Sequence, residues 1–232
     1  MIRGLAIETS GRVGSAAVVA DGVVLAEQTF SQGLKHAAEL LPRIDQLVRS
    51  AGWKPADIDE LYVSVGPGAF TGLRIGVTLA KTLSFATGAR VAAVSSVEAL
   101  VGNAPPEARD LAIVLDARRE QVFTARLHRA GASTPWEWIE PGHLDSLKDL
   151  LARAPRPLWL IGEGIPYHKQ FLPTDDASVI IVPEESWRAR AGAVAEIGYR
   201  MARQGRFTEA QALLPIYIRI PEAEEKRLRA NG

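Results

Sequence analysis

Cysteine is absent from this 232-residue chain, which excludes disulfides, thiolate metal sites and a cysteine nucleophile. That absence fits a reducing compartment, and cytoplasm is the expected location. A charge excess is absent as well: 27 Lys and Arg stand against 27 Asp and Glu. The chain therefore has no positive field with which to hold nucleic acid by itself. Histidine is scarce. His36, His128, His143 and His168 stand in unrelated contexts, none with the paired spacing of a helical zinc site, so no metal is expected. Long apolar runs are missing too: Leu5-Ala6-Ile7 meets Glu8 at once, which is too short for a signal peptide or membrane span and reads as a first strand. Ser64, Ser95 and Ser96 lack the surroundings of a nucleophile elbow, so no hydrolytic triad is legible.

What is present is an α/β pattern. Leu5 to Ile7, Ala16 to Val19 and Val23 to Phe30 are apolar and β-branched, with Asp21-Gly22 as a hairpin turn. Ala37, Leu40, Leu41, Ile44, Leu47 and Val48 recur at helical spacing, although Pro42 is expected to kink that helix or bound it. Leu61 to Val65 reads as a buried strand, Phe70 to Ala86 as a helix and Val91 to Val94 as a strand, giving β-β-β-α-β-α-β. The adjacent prolines 105 and 106 suggest a boundary. Residues 1–103 are expected to form the first domain, with a helix near 189–204 as a candidate for completing it. Residues 104–221 read as a smaller second domain that weakly repeats the first: strands at 111–115, 121–127, 136–139, 158–161 and 179–182, and a helix at 144–151. A further helix is expected at 209–214, and the charged segment 222–232 as a solvated tail.

The most unusual stretch is Val65-Gly66-Pro67-Gly68-Ala69-Phe70-Thr71-Gly72-Leu73-Arg74, a glycine-rich junction from strand to helix. Free amides and the helix dipole at such a junction favour an anion, but the Lys-Ser/Thr pair of a P-loop and dinucleotide spacing are both missing. Gly72, Gly76 and Ala80 put a smooth strip on the helix, suited either to a partner helix or to the chain's own sheet. Glu8-Thr9-Ser10 at the end of the first strand offers oxygen ligands for a metal-bound phosphate, or plain turn chemistry. Asp116-Ala117-Arg118 takes the corresponding place in the second half.

With these residues in view, the chain resembles the TsaB family, the partner subunit of threonylcarbamoyl-adenosine synthesis on tRNA. The resemblance rests on Leu5 to Ser10, His36 to Ile44, Leu61 to Ala80, Arg118 to Phe123 and Leu214-Pro215-Ile216-Tyr217-Ile218-Arg219. It implies a duplicated two-domain fold of the actin, Hsp70 and sugar-kinase type, ribonuclease H-like, with mixed sheets. It further implies a non-catalytic subunit that dimerises with a TsaD-like paralogue, joins a TsaE-like ATPase in a larger complex, pairs with itself when isolated, and meets tRNA only through the complex. The paralogue's metal pair, two His four residues apart, corresponds here to His36 and Leu40, so the pair is broken. On this reading the partner contacts are Ala37, Leu40, Leu41, Ile44, Gly72, Leu73, Gly76, Val77 and Ala80. Glu8, Thr9, Ser10, Asp116, Gly162 and Gly164 are at most vestiges of a nucleotide site, and no cofactor is expected. The rivals are a nucleotide-dependent phosphotransferase of the same fold, testable by ATP turnover, and a peptidase, which would need retained metal.

Overall fold

The computed structural model describes residues 1–30 and 36–219, with the side chains of residues 36–39 outside the description. The chain divides into two compact units: Met1–Ala99 with the segment from Ala189 onward, and Leu100–Arg188.

The first unit opens with β1 (Arg3–Glu8), β2 (Ser15–Ala20) and β3 (Val23–Thr29), antiparallel and joined at Asp21-Gly22, both with positive φ. Then come α1 (His36–Ser50), β4 (Glu60–Gly66), α2 (Phe70–Thr87) and β5 (Arg90–Ser95). The sheet order is β3-β2-β1-β4-β5, with β1, β4 and β5 parallel. Leu40, Ile44, Leu47 and Val48 of α1 enter the core on one face. That burial, at about 1.5–3 kcal/mol per side chain, outweighs the roughly 3 kcal/mol cost of Pro42, so α1 continues past the proline and no boundary falls there. Gly88, with φ 76°, ends α2 as a left-handed cap.

The short helix α3 (Ser96–Val101) follows β5. The second unit contains β6 (Asp110–Ile113), β7 (Leu115–Asp116), β8 (Val122–His128), β9 (Glu137–Asp145), α4 (Leu147–Arg153), β10 (Leu158–Ile161) and β11 (Val179–Ile181). Its strands run β9-β8-β6-β10-β11, antiparallel on the β8 and β9 side and parallel across β6, β10 and β11, with β7 also beside β8. This repeats the first sheet strand for strand, so the duplicated, ribonuclease H-like two-sheet fold is realised. Leu144 lies in β9, and α4 starts only after Ser146, whose hydroxyl accepts the Asp149 N–H at 3.0 Å.

Helix α5 (Ala191–Arg203) returns to the first unit and packs Ala191, Val194, Ala195 and Ala202 with Tyr62 on the sheet's other face. Beneath it the Tyr62 hydroxyl donates to buried Glu60 (2.7 Å), which also receives Arg90 (2.7 Å) and Arg203. Burial, then the Glu60 hydrogen bond, push the Tyr62 phenol far above the usual tyrosine range. Two expectations change here. Residues 209–214 form only a 3-10 turn at Ala210–Ala212, and residues 205–219 belong to the first unit, not the second. The physical reason is pairing: the Thr208 N–H donates to the Val91 carbonyl (2.8 Å) and the Ile216 N–H to the Val65 carbonyl (2.6 Å). The tail 222–232 lies outside the described residues.

Candidate functional site

The glycine-rich junction is filled by the chain itself. A Cβ at Gly66, where φ is 109°, would lie under 3.0 Å from the Ile216 carbonyl oxygen, and one at Gly68 would strike the Ser10 backbone. The Ala69 N–H donates to the Ser10 carbonyl at 2.7 Å, and the Ser96 hydroxyl to the Pro67 carbonyl at 2.5 Å. The glycines therefore admit Ser10 and Ile216, which takes the place of an anion cradle.

Glu8, Thr9 and Ser10 are all buried at the end of β1. The Ser10 N–H donates to Glu8 Oε1 at 2.5 Å, so one oxygen of that carboxylate closes its own turn. Thr9 Oγ1 sits buried against Gly76, where a Cβ would come under 3.0 Å from it. In the second unit, Gly162, with φ 135°, admits the Val114 carbonyl, and Gly164 admits the backbone of Leu115 and Asp116. Asp116 accepts the Arg118 N–H at 3.1 Å and lies 3.5 Å from buried His168. The vestige residues thus form two local groups, one in each unit, and their glycines serve backbone packing. Among the described residues no group of three His, Asp or Glu is placed to hold a metal.

The expected partner contacts need a larger correction. Leu40 is 1% exposed, Leu73 0%, and Ile44, Val77 and Ala80 are equally deep in the first core, where Gly72 and Gly76 are buried too. These side chains line the inner faces of α1 and α2 because the strip of small residues lets α2 lie close to β1 and β4. Leu41 alone of the described set is exposed, at 54%, and the Ala37 side chain lies outside the described residues.

The outer surface carries different residues, which helical spacing did not single out. Phe70, Arg74, Thr78 and Phe85 are all exposed and stack on one face of α2, Phe85 at 94%. Separately, Leu41, Pro42, Ile44, Val48, Pro55, Ile58 and Leu83 line an apolar groove of about 470 Å³, with Asp45 and Arg49 paired at its rim (2.8 Å). At the start of α2 the Tyr217 ring stacks on Phe70 with centroids 4.7 Å apart, and the Arg74 guanidinium lies 4.8 Å from the Phe70 centroid. A signal for this stripe existed in Phe70 and Phe85, large aromatics beside small inward residues.

No helix among the described residues is long and apolar enough to cross a membrane. Comparison with known proteins agrees with the fold. The family model described as TsaD, tRNA N6-adenosine threonylcarbamoyltransferase, matches residues 23–155. The chain is 30% identical to the tRNA threonylcarbamoyladenosine biosynthesis protein TsaB of Bacillus subtilis over 98% of both chains. It is also 30% identical to the protein of that name in Escherichia coli, over 55% of this chain and 56% of the other. The solved structure of YeaZ from Pseudomonas aeruginosa superposes with a TM-score of 0.76 at 25% identity, covering 94% of this chain and all of that one.

Proposed function

We infer the function from one premise: the chain belongs to the TsaB family and has a role in tRNA threonylcarbamoyladenosine biosynthesis. Within that role, we propose, it is a non-catalytic subunit that docks on a TsaD-like enzyme and supports the enzyme's transfer of threonylcarbamoyl to tRNA. The observation that carries this reading is the large apolar surface that α1 and α2 leave in water: Phe85 stands exposed on α2, and exposed Leu41 of α1 lines an apolar groove. Large apolar groups held in water are the usual anchors of an interface. Leu40 supports the non-catalytic part: at the position that resembles a metal ligand, it is committed to the chain's own core. Glu8 supports it as well, since one of its oxygens closes the turn to Ser10.

A TsaE-like ATPase joins the larger complex on this proposal, tRNA is met through the enzyme, and the location is cytoplasmic. In isolation the same face pairs two copies of the chain. The neutral total charge supports leaving tRNA to other subunits. The test is reconstitution. Purified TsaD-like enzyme and ATPase, given tRNA and the activated threonylcarbamoyl donor, should modify tRNA only when this chain is added. Modification at the full rate without it, or ATP turnover by this chain alone that is lost in Glu8→Ala, would overturn the reading.

A further inference from the structure

We propose that Tyr217 is a positioning residue for partner recognition: it holds Phe70 in the orientation that keeps Arg74 presented to a carboxylate of the TsaD-like partner. The inference rests on the functional reading above and adds to it a residue outside both helices.

The geometry starts from the segment that returns along β4. The Ile216 N–H donates to the Val65 carbonyl at 2.6 Å, and Tyr217 forms a parallel bridge with Gly68. These contacts fix the Tyr217 backbone beside the glycine junction, and the missing Cβ atom of Gly66 is what lets Ile216 come so close. Two aromatic and cationic layers follow, Tyr217 on Phe70 at 4.7 Å and Phe70 under Arg74 at 4.8 Å. Cation–π contact and ring stacking both depend on that order, because Phe70 is 37% exposed and has no other aromatic neighbour among the described contacts.

Arg74 makes no ion pair among the described residues. Its guanidinium is exposed, stacked and without a carboxylate among the described residues, at the start of an 18-residue helix. A long side chain already ordered in this way loses less freedom on binding, and a planar guanidinium fits a carboxylate through two hydrogen bonds. Charge complementarity thus selects an acidic side chain on the partner, and the continuity of Arg74 with Thr78 and Phe85 on one helix face selects the partner over another ligand.

The experiment measures affinity of the full-length chain for the purified TsaD-like enzyme at two salt concentrations, with melting curves for each variant. Tyr217→Ala and Arg74→Gln should each weaken binding by about tenfold and flatten its salt dependence, while Tyr217→Phe keeps wild-type affinity. The double variant should be no weaker than Arg74→Gln alone, since both changes remove one contact. Additive losses, or wild-type affinity in Arg74→Gln, would overturn the proposal. Arg74→Gln lies on the surface and leaves the Tyr217 segment in place, so it decides the matter even if Tyr217→Ala melts early. If the unaltered chain does not bind the enzyme at all, the functional reading itself falls. Binding by the unaltered chain with no effect of either variant would sink only this inference.

Discussion

The two units share a strand order but differ in what covers it. The first sheet, β3-β2-β1-β4-β5, is clothed by α1, α2 and α5, whereas β9-β8-β6-β10-β11 has α4 and short 3-10 turns between β10 and β11, where the first unit has α2. Features common to both units are requirements of the fold. Each central parallel strand ends in a glycine of positive φ, Gly66 after β4 and Gly162 after β10, and each glycine admits a backbone carbonyl. Among the unshared features is α2 with its exposed stripe, the proposed partner surface.

The largest expected effect tests the inner face of α2. Val77→Glu should cost about 3–5 kcal/mol and collapse the melting transition whether or not a partner is present, because it buries an unpaired carboxylate in the chain's own core. A variant that melts normally but loses only its partner would put Val77 at the interface after all. Next come Gly66→Ala and Gly162→Ala, each expected to cost about 3 kcal/mol in urea melts from strain and collision. Gly52→Ala should cost about 1 kcal/mol, since that glycine also has positive φ but open space around it. A silent Gly162→Ala would break the equivalence of the units.

A third expectation concerns alkaline pH. Because the Tyr62 phenol is held protonated in the fold, its contribution is complete below the ordinary value of 10.0 and is lost as pH rises above it. Tyr62→Phe should therefore flatten the alkaline fall in stability, read from melts between neutral and strongly basic pH, and an unchanged fall would contradict the buried placement. The smallest effect on stability belongs to Phe85→Ser, within about 0.5 kcal/mol of the unaltered chain, combined with weaker complex formation.

Most strands were legible in the sequence because alternation and β-branching report burial directly, and Asp21-Gly22 marked its turn. Residues 70–86 likewise read as a helix, and the observed one ends one residue later. The inward face of that helix was misassigned for a physical reason: small residues that admit a partner helix and small residues that admit the chain's own strand follow the same spacing. Gly66 posed a similar ambiguity, since the residue that fills its space, Ile216, arrives from the far end of the chain. The 3-10 turn at Ala210–Ala212 replaced a helix because Thr208 and Ile216 pair with strands on either side of it.

On the proposed function, the exposed residues of α1 and α2 dock a TsaD-like enzyme. The most direct test is the mass in solution, by size-exclusion chromatography with light scattering, of the chain mixed with that enzyme, compared with Phe85→Glu and Leu41→Glu. The unaltered chain should form a heterodimer, and both variants should give separate, normally folded components. A heterodimer that survives both charges would place the interface elsewhere on the molecule.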